Sequence, residues 1–173
     1  MDINYDSIGQ NIKKFRVANQ YLNNGTWKSF NGKIEGTANI DGLRIQNNGI
    51  SDFYIQYRTQ NAGVSGFYSY VKSNISSASE YAGSSGKAMQ KLQLQAYNNS
   101  GTKLVNEVVL MWRVKTANSG WLAWVSNADP EYMEAVKNTY NLSGNLDTSS
   151  YYAGKGTENI IGIEIKVYTD VNT

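Results

Sequence analysis

The 173-residue chain has no cysteine and no histidine. Without cysteine it has no disulfide, no thiol nucleophile and no thiolate metal site. Without histidine it lacks the usual general base near neutral pH, the histidine-dependent triads and histidine-ligated zinc. Catalysis would need carboxylates, lysine or tyrosine, and the spacing of the glutamates suggests no carboxylate pair of the kind a glycosidase uses. The sequence therefore predicts no catalytic residue, no cofactor and no enzyme activity.

Charge of either sign is also scarce, because Asp, Glu, Lys and Arg make up only 17% of the chain and the net charge is +2. The longest basic run is Lys13-Lys14, which is too short for the basic patch that nucleic-acid binding requires. No apolar run reaches the length of a membrane span, so we predict none. No run of alternating Asp or Asn with Gly resembles a calcium loop, and we predict no metal site, with Asp129, Glu131 and Asp147 around the insertion as the alternative.

What the chain does contain is internal repetition. Residues 81–94 (YAGSSGKAMQKLQL) align without a gap on residues 152–165 (YAGKGTENIIGIEI), and residues 36–45 share six of ten residues with residues 156–165. Each copy also has an aromatic-Arg pair followed by a short aromatic segment. The pairs are Phe15-Arg16, Tyr57-Arg58 and Trp112-Arg113, and the segments are 26–30, 66–71 and 120–125. We therefore predict a single domain, 1–173, made of three copies at 12–49, 53–101 and 108–170.

The last strand of each copy indicates the fold class. Apolar residues alternate with polar ones, as Ile163 and Ile165 do with Glu164 and Lys166. Period-two alternation with one polar face is typical of antiparallel strands packed on a core. No copy is large enough to bury its own face, so the three are expected to close on one another. The prediction is an all-β fold, a pseudo-threefold antiparallel β-prism with a β-trefoil as the alternative. Residues 2–7 resemble the end of the last strand and are expected to pair with the third copy.

The third copy alone carries an insertion, which is 17 residues long relative to the second copy. Within it, residues 129–140 predict a short helix with Asp129 as the N-cap, Pro130 at the first helical position and Gly144 as the stop. An insertion in one repeat of three commonly lies on a rim, where functional residues are more frequent than in a core.

These repeats resemble the clostridial hydrophobic-W repeats and the related repeats at the ends of Gram-positive cell-wall hydrolases. The third copy carries the likeness in Trp112-Arg113 and residues 120–125 (GWLAWV), 152–154 (YAG) and 161–165 (IGIEI). The second copy has Phe67 and Tyr70 in place of the tryptophans, and the first has no Tyr-Ala-Gly. The resemblance implies a secreted or cell-surface bacterial module, part of a larger polypeptide or complex, that binds cell-wall polymers or other glycans. It supplies no ligand residues.

Two aromatic positions recur in the aromatic segments, and each is either a ligand platform or part of the core. The first position is Trp27, Phe67 or Trp121, and the second is Phe30, Tyr70 or Trp124. Because their separation is odd, an extended strand would point the two rings to opposite faces. A glycan platform needs an exposed ring with Asn, Asp or Gln beside it. The residues predicted to bind a glycan or partner are Trp121, Trp124, Asn127, Asp129, Tyr132, Tyr152, Phe67, Tyr70 and Trp27.

The repeated arginines and the Tyr-Ala-Gly motifs each allow two interpretations. Arg16, Arg58 and Arg113 would together clamp phosphate or carboxylate groups of wall polymers. Alternatively, each would pair with a carboxylate or carbonyl of its own repeat, or stack on an aromatic ring. The Tyr-Ala-Gly motifs, at 81–83 and 152–154, either hold a tyrosine over a groove or form tight turns.

Two functions follow from this reading. The first is a non-catalytic carbohydrate- or cell-wall-binding module. The second is a receptor-binding or protein-interaction domain of a bacterial toxin or surface complex, with the insertion as its contact. Deleting residues 129–145 would abolish partner binding in the second case and spare glycan binding in the first.

Overall fold

The computed structural model describes residues 3–5, 12–15, 17–47 and 49–173, so Arg16 and its predicted role lie outside the described residues. The described residues are 47% strand with one short helix, which confirms a mostly β fold with a helix in the third copy. The strands are β1 Ile3–Tyr5, β2 Lys13–Phe15, β3 Ala18–Asn23, β4 Thr26–Phe30, β5 Lys33–Glu35, β6 Gly42–Gln46, β7 Phe53–Asn61, β8 Val71–Lys72, β9 Ala82–Gly83, β10 Met89–Asn98, β11 Lys103–Leu104, β12 Val108–Thr116, β13 Gly120–Trp121, β14 Val125–Ser126 and β15 Ile160–Thr169, and the helix is α1 Pro130–Tyr140.

The strands form three antiparallel sheets, and each predicted copy supplies the centre of one. The first sheet has the order β4-β3-β6-β9 and the middle sheet β11-β10-β7-β8. The third sheet runs β1-β2-β15-β12-β13, with β5 also paired to β15 and β14 to β12. One of the sheets curls into a half-barrel. The two central strands of each sheet pair in the same register, with Ile45 opposite Asn19, Leu94 opposite Tyr57 and Ile165 opposite Trp112.

Each sheet also receives a short extended segment from a different copy. The second copy gives β9 to the first sheet, the third copy gives Ala153 to the middle sheet, and the first copy gives β5 to the third sheet. The pairs are Ala82 opposite Leu43, Ala153 opposite Leu92 and Ile34 opposite Ile163. The receiving residues Leu43, Leu92 and Ile163 occupy the same position in the aligned copies. The three copies are therefore linked in a cycle.

Each exchanged segment forms a junction between two copies, and at two of these three junctions a large inward-facing side chain adds a hydrogen bond between the same two copies. Trp112 is fully buried, and its Nε1 donates a hydrogen bond of 2.9 Å to Leu92 O in the middle sheet. Tyr57 is also buried, and its Oη accepts a hydrogen bond of 3.0 Å from Ile45 N in the first sheet. At the third junction, between the first copy and the third sheet, Asn19 occupies the position that Tyr57 and Trp112 have in the other copies. A cavity of about 140 Å³ lies beside it, and Asn19 Oδ1 is buried without a partner among the described residues.

The first copy departs from the predicted alignment. The sequence matches Phe15-Arg16 to Tyr57-Arg58, but Phe15 lies in β2, opposite Val167 of the third sheet. The chain then crosses to the first sheet, and the register gives the position of Tyr57 to Asn19. The predicted pairing of residues 2–7 with the last copy is made by β2 instead, and β1 pairs with β2.

The insertion packs on the outer face of the third sheet and does not stand on a rim. Its helix begins at Pro130 after Asp129 and ends at Tyr140, as predicted, but the Asp129 side chain makes no capping hydrogen bond and the C-cap is Asn141, where φ is 51°, and not Gly144. Asparagine adopts this left-handed conformation readily, so the helix can end before the glycine. Met133 and Val136 are buried in an apolar cluster with side chains of β12 and β15.

The exchange of segments predicts a strong substitution effect at Gly83. The residue has a φ of 118°, and a Cβ there would overlap Asp41 O across the β6–β9 pair. We expect Gly83→Ala to lower the free energy of unfolding by about 3 kcal/mol, since neither backbone can yield without breaking the pair. Urea denaturation followed by circular dichroism measures it.

Gly86→Ala is the matched control for this substitution. Gly86 also has a positive φ, 83°, but a Cβ there meets no atom within 4 Å. Gly86→Ala should lower the free energy of unfolding by only about 1 kcal/mol, the cost of backbone strain at a positive φ. Equal losses for the two variants would contradict a structural role for the exchanged segment.

Candidate functional site

In the third copy, the aromatic segment holds an arginine between two rings. The Arg113 guanidinium carbon lies 4.6 Å from the centre of Trp121 and 4.7 Å from that of Trp124. Its Nε and Nη2 donate to Glu164 Oε1 at 3.0 and 2.8 Å, and its Nη1 donates to Ser143 O at 3.3 Å. The faces of aromatic rings attract a cation, and a carboxylate accepts the hydrogen bonds that a guanidinium donates from its edge. Both sides and both edges of this buried guanidinium are therefore occupied by the protein.

The two rings lie on one side of the sheet, contrary to the predicted opposite faces. Trp121 is opposite Lys115, whereas Val125 is opposite Trp112. Trp112 and Lys115 are three residues apart on β12, whereas Trp121 and Val125 are four residues apart on the segment paired with it. The paired segment therefore contains one extra residue, a β-bulge. The extra residue brings the Trp124 ring to the same guanidinium as Trp121. Trp124 is only 1% exposed, so its ring packs and does not meet a ligand.

The second copy builds the same arrangement around Arg58. Its guanidinium carbon lies 4.4 Å from the ring centres of both Phe67 and Tyr70. Arg58 Nε donates a hydrogen bond of 2.9 Å to Gln93 Oε1. Burial raises the pKa of the Tyr70 hydroxyl, although Arg58 opposes the shift, so the group stays protonated and can donate a hydrogen bond.

Two further tyrosines extend this group toward solvent. Tyr152 meets Phe67 edge-on with ring centres 5.9 Å apart, and Tyr151 lies 5.1 Å from Tyr152 and 6.4 Å from Phe67. Tyr151 is 57% exposed, more than any other large apolar side chain of the described residues. Lys91 Nζ lies 4.9 Å above the Tyr152 ring. We call Phe67, Tyr70, Tyr151 and Tyr152 the aromatic rim.

The aromatic rim borders the outer face of the middle sheet. Strand alternation turns apolar residues of β7 and β10 to the core and the others outward. The outer face consists of Tyr54, Gln56, Arg58, Gln60, Lys91, Gln93, Gln95 and Tyr97. Amides and phenols supply both donors and acceptors, and no carboxylate is among these eight residues. The face is therefore polar, aromatic and positively charged.

The equivalent face of the third sheet is closed by the insertion. Trp124 Nε1 donates to Ser143 O at 2.7 Å, and Trp124 N donates to Asn145 O at 2.8 Å. Met111 and Tyr168, which face outward from β12 and β15, are buried under the helix. The second copy has no insertion, so no helix covers the outer face of the middle sheet, where six of these eight residues are partly exposed and Tyr54 and Gln93 are buried.

Three predicted site residues serve to hold the insertion in place. Asn127 Oδ1 accepts a hydrogen bond of 2.8 Å from Leu110 N. Its Nδ2 donates to the carbonyls of Leu104, Val105 and Val108, at the start of β12 and in the turn before it. Asp129 Oδ2 accepts from Asn106 Nδ2 at 2.8 Å. Tyr132 packs against the cluster beneath the helix. Asn127 in particular has both of its side-chain polar atoms committed to the backbone.

The Tyr-Ala-Gly motifs form bridges between copies and not isolated tight turns. In each copy the residue just before Ala82, Ala153 or Ile34, the residue that pairs with another copy, packs on the first aromatic position of the copy that receives it. The pairs are Tyr81 with Trp27 at 5.1 Å, Tyr152 with Phe67 at 5.9 Å and Lys33 with Trp121 at 5.4 Å. Trp27 is 36% exposed, so the first sheet keeps a smaller aromatic platform.

Neither a metal site nor a membrane-spanning helix is found in the described ranges. No group of three or more Asp, Glu, His or Cys residues there could hold a metal ion. Asp147 instead accepts hydrogen bonds from Ser150 and Ser149, which lower the pKa of its carboxyl. The helix α1 is too short and too polar to cross a bilayer, and the described residues contain no other candidate span.

The structure thus brings together Phe67, Tyr70 and Tyr152 of the predicted site. Sequence reasoning missed Tyr151, although the Tyr-Tyr doublet before Ala153 was a signal for it. It also missed that Gln93, which alternates with Leu92 and Leu94, would lie beside Arg58.

No protein-family model, curated protein or solved structure matches the chain. The fold and site define a mostly β protein whose middle sheet has a polar outer face bordered by the aromatic rim.

The two arginine sites predict different contributions to stability. Glu164→Gln leaves the buried Arg113 without a counter-charge, so we expect the free energy of unfolding to fall by about 3 kcal/mol. Gln93→Met removes only a neutral acceptor from Arg58 and should cost about 1 kcal/mol. Urea denaturation of both variants tests the contrast, and a loss at Gln93 as large as that at Glu164 would contradict it.

Proposed function

We propose that the chain is a non-catalytic carbohydrate-binding module that binds a glycan or cell-wall polymer on the outer face of the middle sheet. The observation that carries the proposal is the exposed Tyr151 ring beside Phe67 and Tyr152. An exposed aromatic ring offers a flat apolar surface to the C–H face of a sugar. The glutamines and phenols next to it can exchange hydrogen bonds with sugar hydroxyls.

The difference between the copies supports this location. The third copy covers its outer face with the inserted helix, whereas no helix covers the same face of the second copy, where six of the eight outer residues are partly exposed. An exposed aromatic patch on a soluble surface commonly marks a binding site. The resemblance to hydrophobic-W repeats also fits a glycan-binding module of an exported bacterial protein.

A protein receptor bound through the insertion has less support. Met133 and Val136 are buried against the sheet, and Asn127 and Asp129 bond to the neighbouring turn. Deleting residues 129–145 would uncover Trp124 and the apolar cluster beneath the helix. The deletion is therefore expected to unfold the third sheet, and it does not isolate a contact surface.

We also propose that the three sheets surround one core as a pseudo-threefold prism, in preference to a trefoil. The support is the cycle of exchanged segments, which meets the same aligned position in each copy at Leu43, Leu92 and Ile163. All three residues belong to one apolar cluster. An experimental structure in which a threefold rotation fails to superpose them would overturn this proposal.

Removing the exposed ring tests the binding function. We expect Tyr151→Ala to weaken binding to the retained polymer by roughly tenfold, because a stacking surface is lost while the core is untouched. Retention on insoluble peptidoglycan and a glycan array identifies the polymer, and titration calorimetry measures the affinity.

Ile75→Ala is the control, since Ile75 is 40% exposed and is not part of the aromatic rim. This variant should bind as the unmodified chain does. Failure of the unmodified chain to bind any wall polymer or glycan would refute the proposal, and so would equal effects of the two substitutions.

A further inference from the structure

We propose that Arg58 binds the carboxylate group of an acidic glycan. The choice of a glycan rests on the proposed function, and the charge of the ligand is the new element. Arg58 differs in its hydrogen bonds from Arg44 and Arg113, the arginines at the outer faces of the other two sheets.

Arg58 and Arg113 share the two flanking rings and the position in the sheet, but Arg113 is also bonded to Ser143 O of the insertion and differs in the residue opposite it. Each lies between two aromatic rings, and each is opposite a residue of the last strand of its copy. That residue is Glu164 for Arg113 and Gln93 for Arg58. In the third copy the protein itself therefore supplies the carboxylate, whereas in the second copy a neutral amide stands in its place.

The amide uses only part of the Arg58 hydrogen-bonding capacity. The Gln93 Oε1 accepts from Arg58 Nε, and no hydrogen bond to the two terminal nitrogens of Arg58 is found among the described residues. These nitrogens are not fully enclosed, since neither is among the buried unpartnered atoms of the described chain and Arg58 is partly exposed. Two parallel N–H donors held in a plane match the two oxygens of a carboxylate.

Arg44 of the first sheet is satisfied in a different way. Its Nη2 donates to the carbonyls of Ser76 and Ser77, and its Nη1 lies 3.5 Å from Gln20 Oε1. Both Arg44 and Arg113 thus have their terminal nitrogens bonded to the protein. Arg58 is the one of these three whose terminal nitrogens are left for a ligand.

The surroundings of Arg58 favour an anion. Lys91 lies two residues from Gln93 on the same strand face, and Lys72 Nζ lies 5.7 Å above the Tyr54 ring at the other end of that face. The nearby Glu80 carboxylate accepts a hydrogen bond of 2.7 Å from Lys72 N. Phe67 and Tyr70 hold the guanidinium in place, so little side-chain freedom is lost when a carboxylate binds. The exposed Tyr151 ring would then stack on the sugar that carries the carboxylate.

The first test follows Arg58 itself with a minimal ligand. The Arg58 Nε–Hε signal is monitored by NMR while the chain is titrated with millimolar glucuronate or with glucuronate methyl ester, which is neutral. We expect glucuronate to shift the signal and the ester to leave it unchanged. A signal that does not respond to glucuronate, or that responds equally to the ester, overturns the inference.

Gln93→Glu provides the decisive variant, because it copies the Glu164 arrangement and occupies Arg58 from within. Glucuronate binding should fall at least about tenfold. Gln95→Glu is the matched control, since it makes the same charge change on the same strand face without facing Arg58. It should retain most of the binding, and equal losses in the two variants would contradict a specific site at Arg58.

Retention on a polyuronate and on its methyl-esterified form separates this inference from the proposed function. Equal retention of the chain on both polymers, lost in Tyr151→Ala, would keep the glycan proposal and refute the carboxylate site. A response of Arg58 to glucuronate without retention on any polymer would keep the carboxylate site and refute glycan binding.

Discussion

The backbone pairing that joins each sheet to a segment of another copy is the constraint on which the structure depends. Ala153 pairs with Leu92, and equivalent pairs occur at Leu43 and Ile163. A single copy of this size has too little apolar surface to fold alone, so repeats must cover one another. Because each copy completes a sheet built by another, the cycle makes the three copies depend on one another. The buried Trp112 and Tyr57 act at the same junctions, where each bonds to the backbone of the neighbouring sheet.

The copies share this framework but differ at single positions, and those differences set the properties of each face. Asn19 leaves a cavity where Tyr57 and Trp112 fill the space. Gln93 leaves Arg58 without the carboxylate that Glu164 gives to Arg113. The insertion buries the outer face in one copy only. The common framework explains why these changes are tolerated, since none of them touches the pairs that close the cycle.

Local patterns in the sequence predict the strands well. The alternation along β10 and β15 places Leu92 and Ile163 inward, and Asp129-Pro130 marks the start of the helix. The links between copies are harder to predict, because a Tyr-Ala-Gly motif has the composition of a turn and its partner strand is remote in sequence. The bulge before Val125 changes the side of the sheet on which Trp124 lies, and no residue type announces it. The first copy is misaligned because its chain crosses between sheets after Phe15.

The differences between the copies explain why the aromatic segment of the third copy, which matches the repeat pattern best, does not form the proposed binding site. Trp121 and Trp124 preserve the repeat pattern best, and they do so where the arginine between them is already bonded to Glu164. Positions that define a repeat are retained because packing requires them, and the buried Trp124 ring offers nothing to a ligand. The second copy departs from the pattern at Phe67, Tyr70 and Gln93, and the last of these leaves Arg58 opposite an amide where Arg113 has a carboxylate. In a protein built from repeats, ligand contacts are therefore to be sought where one copy stops resembling the others.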